Sequence, residues 1–134
     1  MLGKNAENNC RQIKSNKICY HLFTMNVKDK NIDLAKKIIT SEIEKAGYQV
    51  DRIILFGSRA RGDYNEYSDW DFFVVVDREL SKDDWKRAQM NIRKEMRRNG
   101  IGADVVIKSA GLYEHQKKDT GFISYYVNKD GIAV

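Results

Sequence analysis

Five apolar residues in an unbroken run, Phe72-Phe73-Val74-Val75-Val76, follow directly on Asp69-Trp70-Asp71. A run this short and this rich in aromatic and β-branched residues predicts a strand covered on both faces, since a strand with one wet face alternates apolar and polar residues. A chain that contains it must supply a layer of structure above and below a sheet. The isoleucine-rich run 50–56 is a second strand of the same kind.

Two amphipathic helices are available as layers. Over residues 29–47, Ile32, Ala35, Ile39, Ile43 and Ala46 recur at three- and four-residue steps among lysines and glutamates, and Gly47 ends the run. Ser81 with Asp84 three residues later reads as a capping box, and Trp85, Ala88, Ile92 and Met96 then repeat at helical spacing until Asn99-Gly100. Residues 102–107, GADVVI, predict a third strand. Phe122, Tyr125, Tyr126 and Val127 predict a short last helix ending near Gly131, with 132–134 as a terminal strand or tail. The order helix, strand, strand, helix, strand, helix describes an α/β or α+β domain, a small mixed β-sheet flanked by helices.

A length of 134 residues fits one such domain and not two. No stretch approaches the about 18 consecutive apolar residues of a membrane span, and the polar start lacks the apolar block of a signal peptide, so a cytoplasmic protein is expected. Cys10 and Cys19 are the only cysteines and lie in the least patterned part of the chain, which predicts free thiols and no zinc site. The net charge is +5, and Lys4, Arg11, Lys14 and Lys17 against Glu7 place +3 of it in residues 1–24. Residues 1–24 are therefore expected to be a solvated basic tail and 25–134 the domain, with Met25 a candidate natural start. A nearly neutral body argues against direct nucleic-acid binding. The second helix carries Lys86, Arg87, Arg93, Lys94, Arg97 and Arg98 on its polar side, a solvated face or a surface for an acidic partner.

Asp69 and Asp71 stand two apart at the start of a strand, and alternation points both side chains to one face. Like charges so placed are unfavourable unless a cation lies between them, and carboxylate oxygens suit Mg²⁺. Asp104 sits near the start of the third strand. If that strand lies beside the one beginning at Asp69, three carboxylates converge, the set that holds two divalent ions about 3.5–4 Å apart in phosphoryl or nucleotidyl transfer. Gly57-Ser58 follows the first strand, where a residue without Cβ allows close backbone approach to a phosphate and a hydroxyl can donate to it. Arg59 and Arg61, in the connection, are candidates to neutralise a polyphosphate, with Arg59 next to the turn the better placed. His115, in the polar stretch YEHQKKDTG, is expected to be a bystander.

Gly57-Ser58, ten intervening residues, then Asp69-Trp70-Asp71, with an apolar strand on each side, resembles the signature of the polymerase-beta-like nucleotidyltransferase superfamily. Phe56-Gly57-Ser58-Arg59-Ala60-Arg61-Gly62 is similar in particular to its minimal nucleotidyltransferases, and the resemblance spans about residues 32–133. It implies the palm-type fold of that superfamily, with ATP as substrate and two Mg²⁺ ions held between sheet and helix. It implies that Gly57 and Ser58 hold the triphosphate, that Asp69 and Asp71 bind both metals, and that Asp104 binds the catalytic metal and helps deprotonate the acceptor. Trp70 and Phe72-Phe73 depart from the usual aliphatic residues and change packing, not ligands.

Larger members add a domain that grips the acceptor, and this chain has no room for one. Minimal members are similar to antitoxins that pair with a HEPN-domain ribonuclease toxin and transfer AMP from ATP to one of its tyrosines, which is the expected partner and activity. The alternatives are an antibiotic or small-molecule nucleotidyltransferase acting as a dimer, and a non-catalytic antitoxin that blocks its partner sterically.

Overall fold

The computed structural model describes residues 29–134. The expectations for the basic segment 1–24, both cysteines and Met25 fall outside those residues. In chain order the elements are α1 (Lys30–Lys45), β1 (Val50–Phe56), α2 (Ser58–Arg61), β2 (Trp70–Val76), α3 (Lys82–Arg98), β3 (Ala103–Ser109), α4 (Ala110–Gln116), α5 (Ile123–Asp130) and β4 (Ile132–Ala133). The strands form one mixed sheet in the order β3-β2-β1-β4. β1 is antiparallel to β2 and to β4, while β3 is parallel to β2, reached by the α3 crossover.

The apolar run at 72–76 is the centre of this sheet, and all five side chains are fully buried. Fully burying a residue of this size contributes about 1.5–3 kcal/mol. Alternation divides them. Phe72, Val74 and Val76, with Trp70, Ile53 and Leu55, face α1 and α3, where Ile39, Ile43, Ala88, Ile92 and Met96 close the larger core. Phe73 and Val75, with Ile54, face Tyr113 of α4 and Val127 of α5 in a smaller second core. That second layer leaves one end of its sheet face open, where β2 and β3 begin and β1 ends: Asp71 there is half-buried and Asp104 exposed.

Both long helices form where the periodicity places them. Asp29 caps α1 by accepting the Asn31 N–H at 3.0 Å. Ser81 caps α3 by accepting the Asp84 N–H at 3.2 Å, the forward half of a capping box. The return half runs through a third residue: the Ser81 N–H donates to the Tyr48 hydroxyl (3.3 Å), which donates to the Asp84 carboxylate (2.8 Å). The hydrogen bond from Tyr48, with one from Ser81, holds the Asp84 carboxyl below its ordinary pKa. Three features differ from the sequence expectation. β3 runs on to Ser109 because Lys108 and Ser109 stay paired with β2. Part of the polar stretch containing His115 belongs to α4, a helix that buries only Tyr113 and Gln116 and so has little apolar period, and His115 itself points to solvent. The last helix starts at Ile123, with Phe122 as its cap, while its end at Asp130 and the short strand 132–133, paired to β1, are as expected.

Candidate active site

β1 delivers the chain to Gly57 at the open end of the sheet, and the backbone there has φ 75° and ψ −158°, a region essentially reserved for glycine. The space a Cβ would fill is taken. A Cβ on Gly57 would lie 2.1 Å from Asp71 Oδ2, so the turn rests directly on that carboxylate. The missing Cβ is thus required by the protein's own acid, an additional reason to the phosphate approach expected from sequence. Ser58 then opens the single turn of α2, closed by Gly62 N–H donating to the Ser58 carbonyl at 2.7 Å.

Asp71 is the hub of the acidic residues. In the parallel ladder it is the direct partner of Asp104, and both share the sheet face of Phe73, Val75 and Val106. Asp69 precedes β2, and its Oδ1 lies where a Cβ on Gly102 would come within 2.8 Å. The Trp70 N–H donates to the Gly102 carbonyl at 2.9 Å, which starts the β2–β3 pairing and sets Asp69 beside β3. The Asp71 carboxyl is pushed above its ordinary pKa, first by burial, then by Asp104 and Asp69, with Arg61 opposing. The donor set and its uncompensated charge fit a hard divalent cation. Among the described residues, however, no three acidic, His or Cys side chains are gathered closely enough to hold a metal ion as they stand. They share one end of one sheet face without surrounding a common point.

The two arginines of α2 have different surroundings. Arg59 stacks between Trp70 and Tyr64, its guanidinium carbon 4.2 Å and 4.8 Å from the ring centroids. Its Nε–H donates to the Ser68 carbonyl at 3.0 Å, and its Nη2 to those of Asn65 and Glu66 at 3.4 Å each. It clasps the connection that ends at Asp69. Arg61 is exposed, 3.5 Å from Asp63, and close enough to Asp71 to lower its pKa. Trp70 fits this arrangement: its indole packs flat against Phe72, ring planes 8° apart, and offers a face to Arg59. Gly102 is the site residue that sequence reasoning missed; its signal is a glycine two positions before Asp104.

Residues 32–129 match the model of the nucleotidyltransferase domain family. A solved structure from Sulfolobus solfataricus, described as that of a proposed nucleotidyltransferase, is similar to this chain at 24% identity and a TM-score of 0.41, over 79% of this chain and 87% of that one. No curated protein matches the chain. No helix among the described residues is long and apolar enough to cross a membrane. With the family model covering most of the chain, including the Gly-Ser turn and all three carboxylates, the protein belongs to the nucleotidyltransferase domain family.

Proposed function

We propose that the chain transfers AMP from ATP to a hydroxyl on a partner protein, a tyrosine of a HEPN-domain toxin, and so acts as its antitoxin. The observation that carries the transfer reading is the pairing of Asp71 with Asp104 across β2 and β3, with the Gly57 turn seated on Asp71. The protein partner is supported by the open end of the sheet, where Asp69 and Asp104 are exposed, and by the resemblance to minimal nucleotidyltransferases.

In this reading Asp69 and Asp71 would hold both Mg²⁺ ions and Asp104 one of them. When bound, the ions supply positive charge on the polyphosphate and on the attacking oxygen. The Gly57-Ser58 turn places the triphosphate beside Asp71 through its backbone and the Ser58 hydroxyl. Arg61, with its guanidinium in solvent, takes the phosphate-neutralising role, and Arg59 positions Asp69 through the Ser68 carbonyl. The acceptor oxygen bonds to the α-phosphorus, the bond to the pyrophosphate oxygen breaks, and the hydroxyl proton passes to Asp104.

The test is transfer from α-labelled ATP to the purified partner, with Mg²⁺ and with EDTA. Asp104→Asn is expected to bind MgATP within a few-fold of the parent and to transfer at least ~100-fold more slowly, the scale of a lost acid–base contribution. Parental transfer rates in that variant would remove Asp104 from the chemistry.

A further inference from the structure

The basic residues of α3 do not form one surface. Arg87 and Arg98 are held along the helix by Asp84 (3.6 Å) and Glu95 (2.9 Å). Arg93 and Arg97, one turn apart, have no ion pair among the described residues. They form one wall of a cleft of about 420 Å³ whose other wall includes Asp69, Gly102 and Asp104. The helical repeat that aligns Arg93 with Arg97 adds Lys82, Lys86 and Met90 to the same stripe, and Met90 is 71% exposed.

This stripe runs beside β3, which is an outer strand of the sheet. Gln89 Nε2 donates to the Val105 carbonyl at 2.9 Å and occupies an outward backbone acceptor of that strand. Beyond Gln89 a second cleft of about 320 Å³ opens, lined by Lys82 and Trp85 of α3 and by Ile107 and Lys108 of β3, with Glu79 the one carboxylate against its two lysines. The two clefts follow one another from the carboxylates to the far end of the strand. The Gly57-Ser58 turn lies on the other side of Asp71, next to β1. A nucleotide seated on the turn leaves the β3 side for the acceptor.

We propose that the clefts along the outer edge of β3, beside α3, form the acceptor channel, and that it takes an acidic polypeptide segment whose glutamates or aspartates meet Arg93 and Arg97 while its hydroxyl residue passes the open start of β3 to reach Asp104, which faces the other side of the sheet from α3. This rests on the transfer reading above and narrows its substrate class. A cationic antibiotic would be drawn by Asp69 and Asp104 but would meet Arg93 and Arg97 on the facing wall. Residues 29–134 hold nineteen Lys and Arg against eighteen Asp and Glu, so this part of the chain by itself exerts little long-range pull on a polyphosphate chain, and the remaining +4 of the net charge of +5 lies in residues 1–28. Locally concentrated charge on a near-neutral body selects a partner by complementarity at the contact.

The test uses the full chain and a fluorescein-labelled peptide with one central tyrosine flanked by glutamates, read by anisotropy at low salt. Arg93→Gln with Arg97→Gln is expected to weaken binding roughly tenfold or more, while Arg87→Gln with Arg98→Gln, an equal change in net charge, weakens it less than about threefold. Equal weakening in the two double variants overturns the proposal, as does equal affinity for a lysine-flanked peptide. Tighter binding of a single-stranded oligonucleotide with the same dependence on Arg93 and Arg97 overturns it in favour of nucleic acid. Binding of a fluorescent ATP analogue with Mg²⁺ to the parent protein is measured separately: its failure removes the transfer reading and leaves the peptide result to decide the groove.

Discussion

Replacing Asp71 by Asn probes the carboxylate cluster without nucleotide or partner. Asn keeps the volume that packs under Gly57 and removes one negative charge from between Asp69 and Asp104. The folded protein raises the Asp71 pKa from 3.8 through burial and then through those two neighbours. A group whose pKa rises on folding binds its proton more tightly in the native state, so native stability is lost as pH climbs through the raised value. At neutral pH that loss is complete, and at pH near the unfolded value of about 4 most of it is gone. Like charges on neighbouring strands cost about 0.2–1 kcal/mol, and Asp71 is only half-buried, so screening favours about 0.2–0.6 kcal/mol. At about 4–8 °C per kcal/mol for a domain of this size, the variant in EDTA at pH 7 should melt ~1–5 °C above the parent, with the gap shrinking toward pH 4. Added Mg²⁺ should reverse the order, because the parent gains more from a ligand that binds only the folded state. Thermal scans at both pH values decide it. A variant that melts below the parent in EDTA at pH 7, or whose gain persists undiminished in acid, refutes the account of an Asp71 carboxylate disfavoured by burial and by its two acidic neighbours.

Gly57→Ala should destabilise by about 1–3 kcal/mol in chemical denaturation, from backbone strain and from overlap with the Asp71 carboxylate, and Asp71→Ala in the same chain should return only the part due to that overlap. Gly102→Ala meets only the end of the Asp69 carboxylate, so its stability should stay within about 0.5–1 kcal/mol of the parent while Mg²⁺-dependent transfer falls; unchanged transfer would mean that the position of Asp69 is not critical. Arg59→Lys keeps the charge but loses the planar fork that stacks and donates to three carbonyls, and about 1–2 kcal/mol of stability should go with it. Hydrogen exchange should quicken over residues 62–69 in that variant, and unaltered exchange there would show that Arg59 does not hold the connection.

The fold was legible because its strongest signals are one-dimensional. A continuous apolar run has one structural solution, and the α1 and α3 periods are long enough to average out single exceptions. What escaped was held by few residues. α2 is four residues long, and α4 buries two side chains, so neither carries a period that sequence can display. The forward cap of α3 was readable from Ser81 and Asp84, three apart, but its return half depends on Tyr48, more than thirty residues away. A local pattern cannot announce a partner that only the packing of α1 against α3 brings near.

The candidate site divides along the same line. Asp69 and Asp71 could be placed on one face because strand alternation is a geometric rule, whereas Asp104 joined them only on the condition that β3 lies beside β2, and the register that pairs it with Asp71 is supplied by the structure. Arg59 shows where such rules stop. Its place beside the Gly-Ser turn suggests a phosphate ligand, yet a guanidinium goes to the densest set of acceptors and ring faces within reach. Here these are the carbonyls of Asn65, Glu66 and Ser68 and the rings of Tyr64 and Trp70, all brought to it by the turn of the connection. Trp70 therefore does more than fill an aliphatic position: one face completes the core beside Phe72 and the other holds the arginine that fixes the approach to Asp69. An aliphatic residue at that position would keep the first role and lose the second, so Trp70→Leu should resemble Arg59→Lys in its exchange pattern over 62–69, and the two changes combined should cost less than their sum. Strict additivity would separate the tryptophan from the clasp.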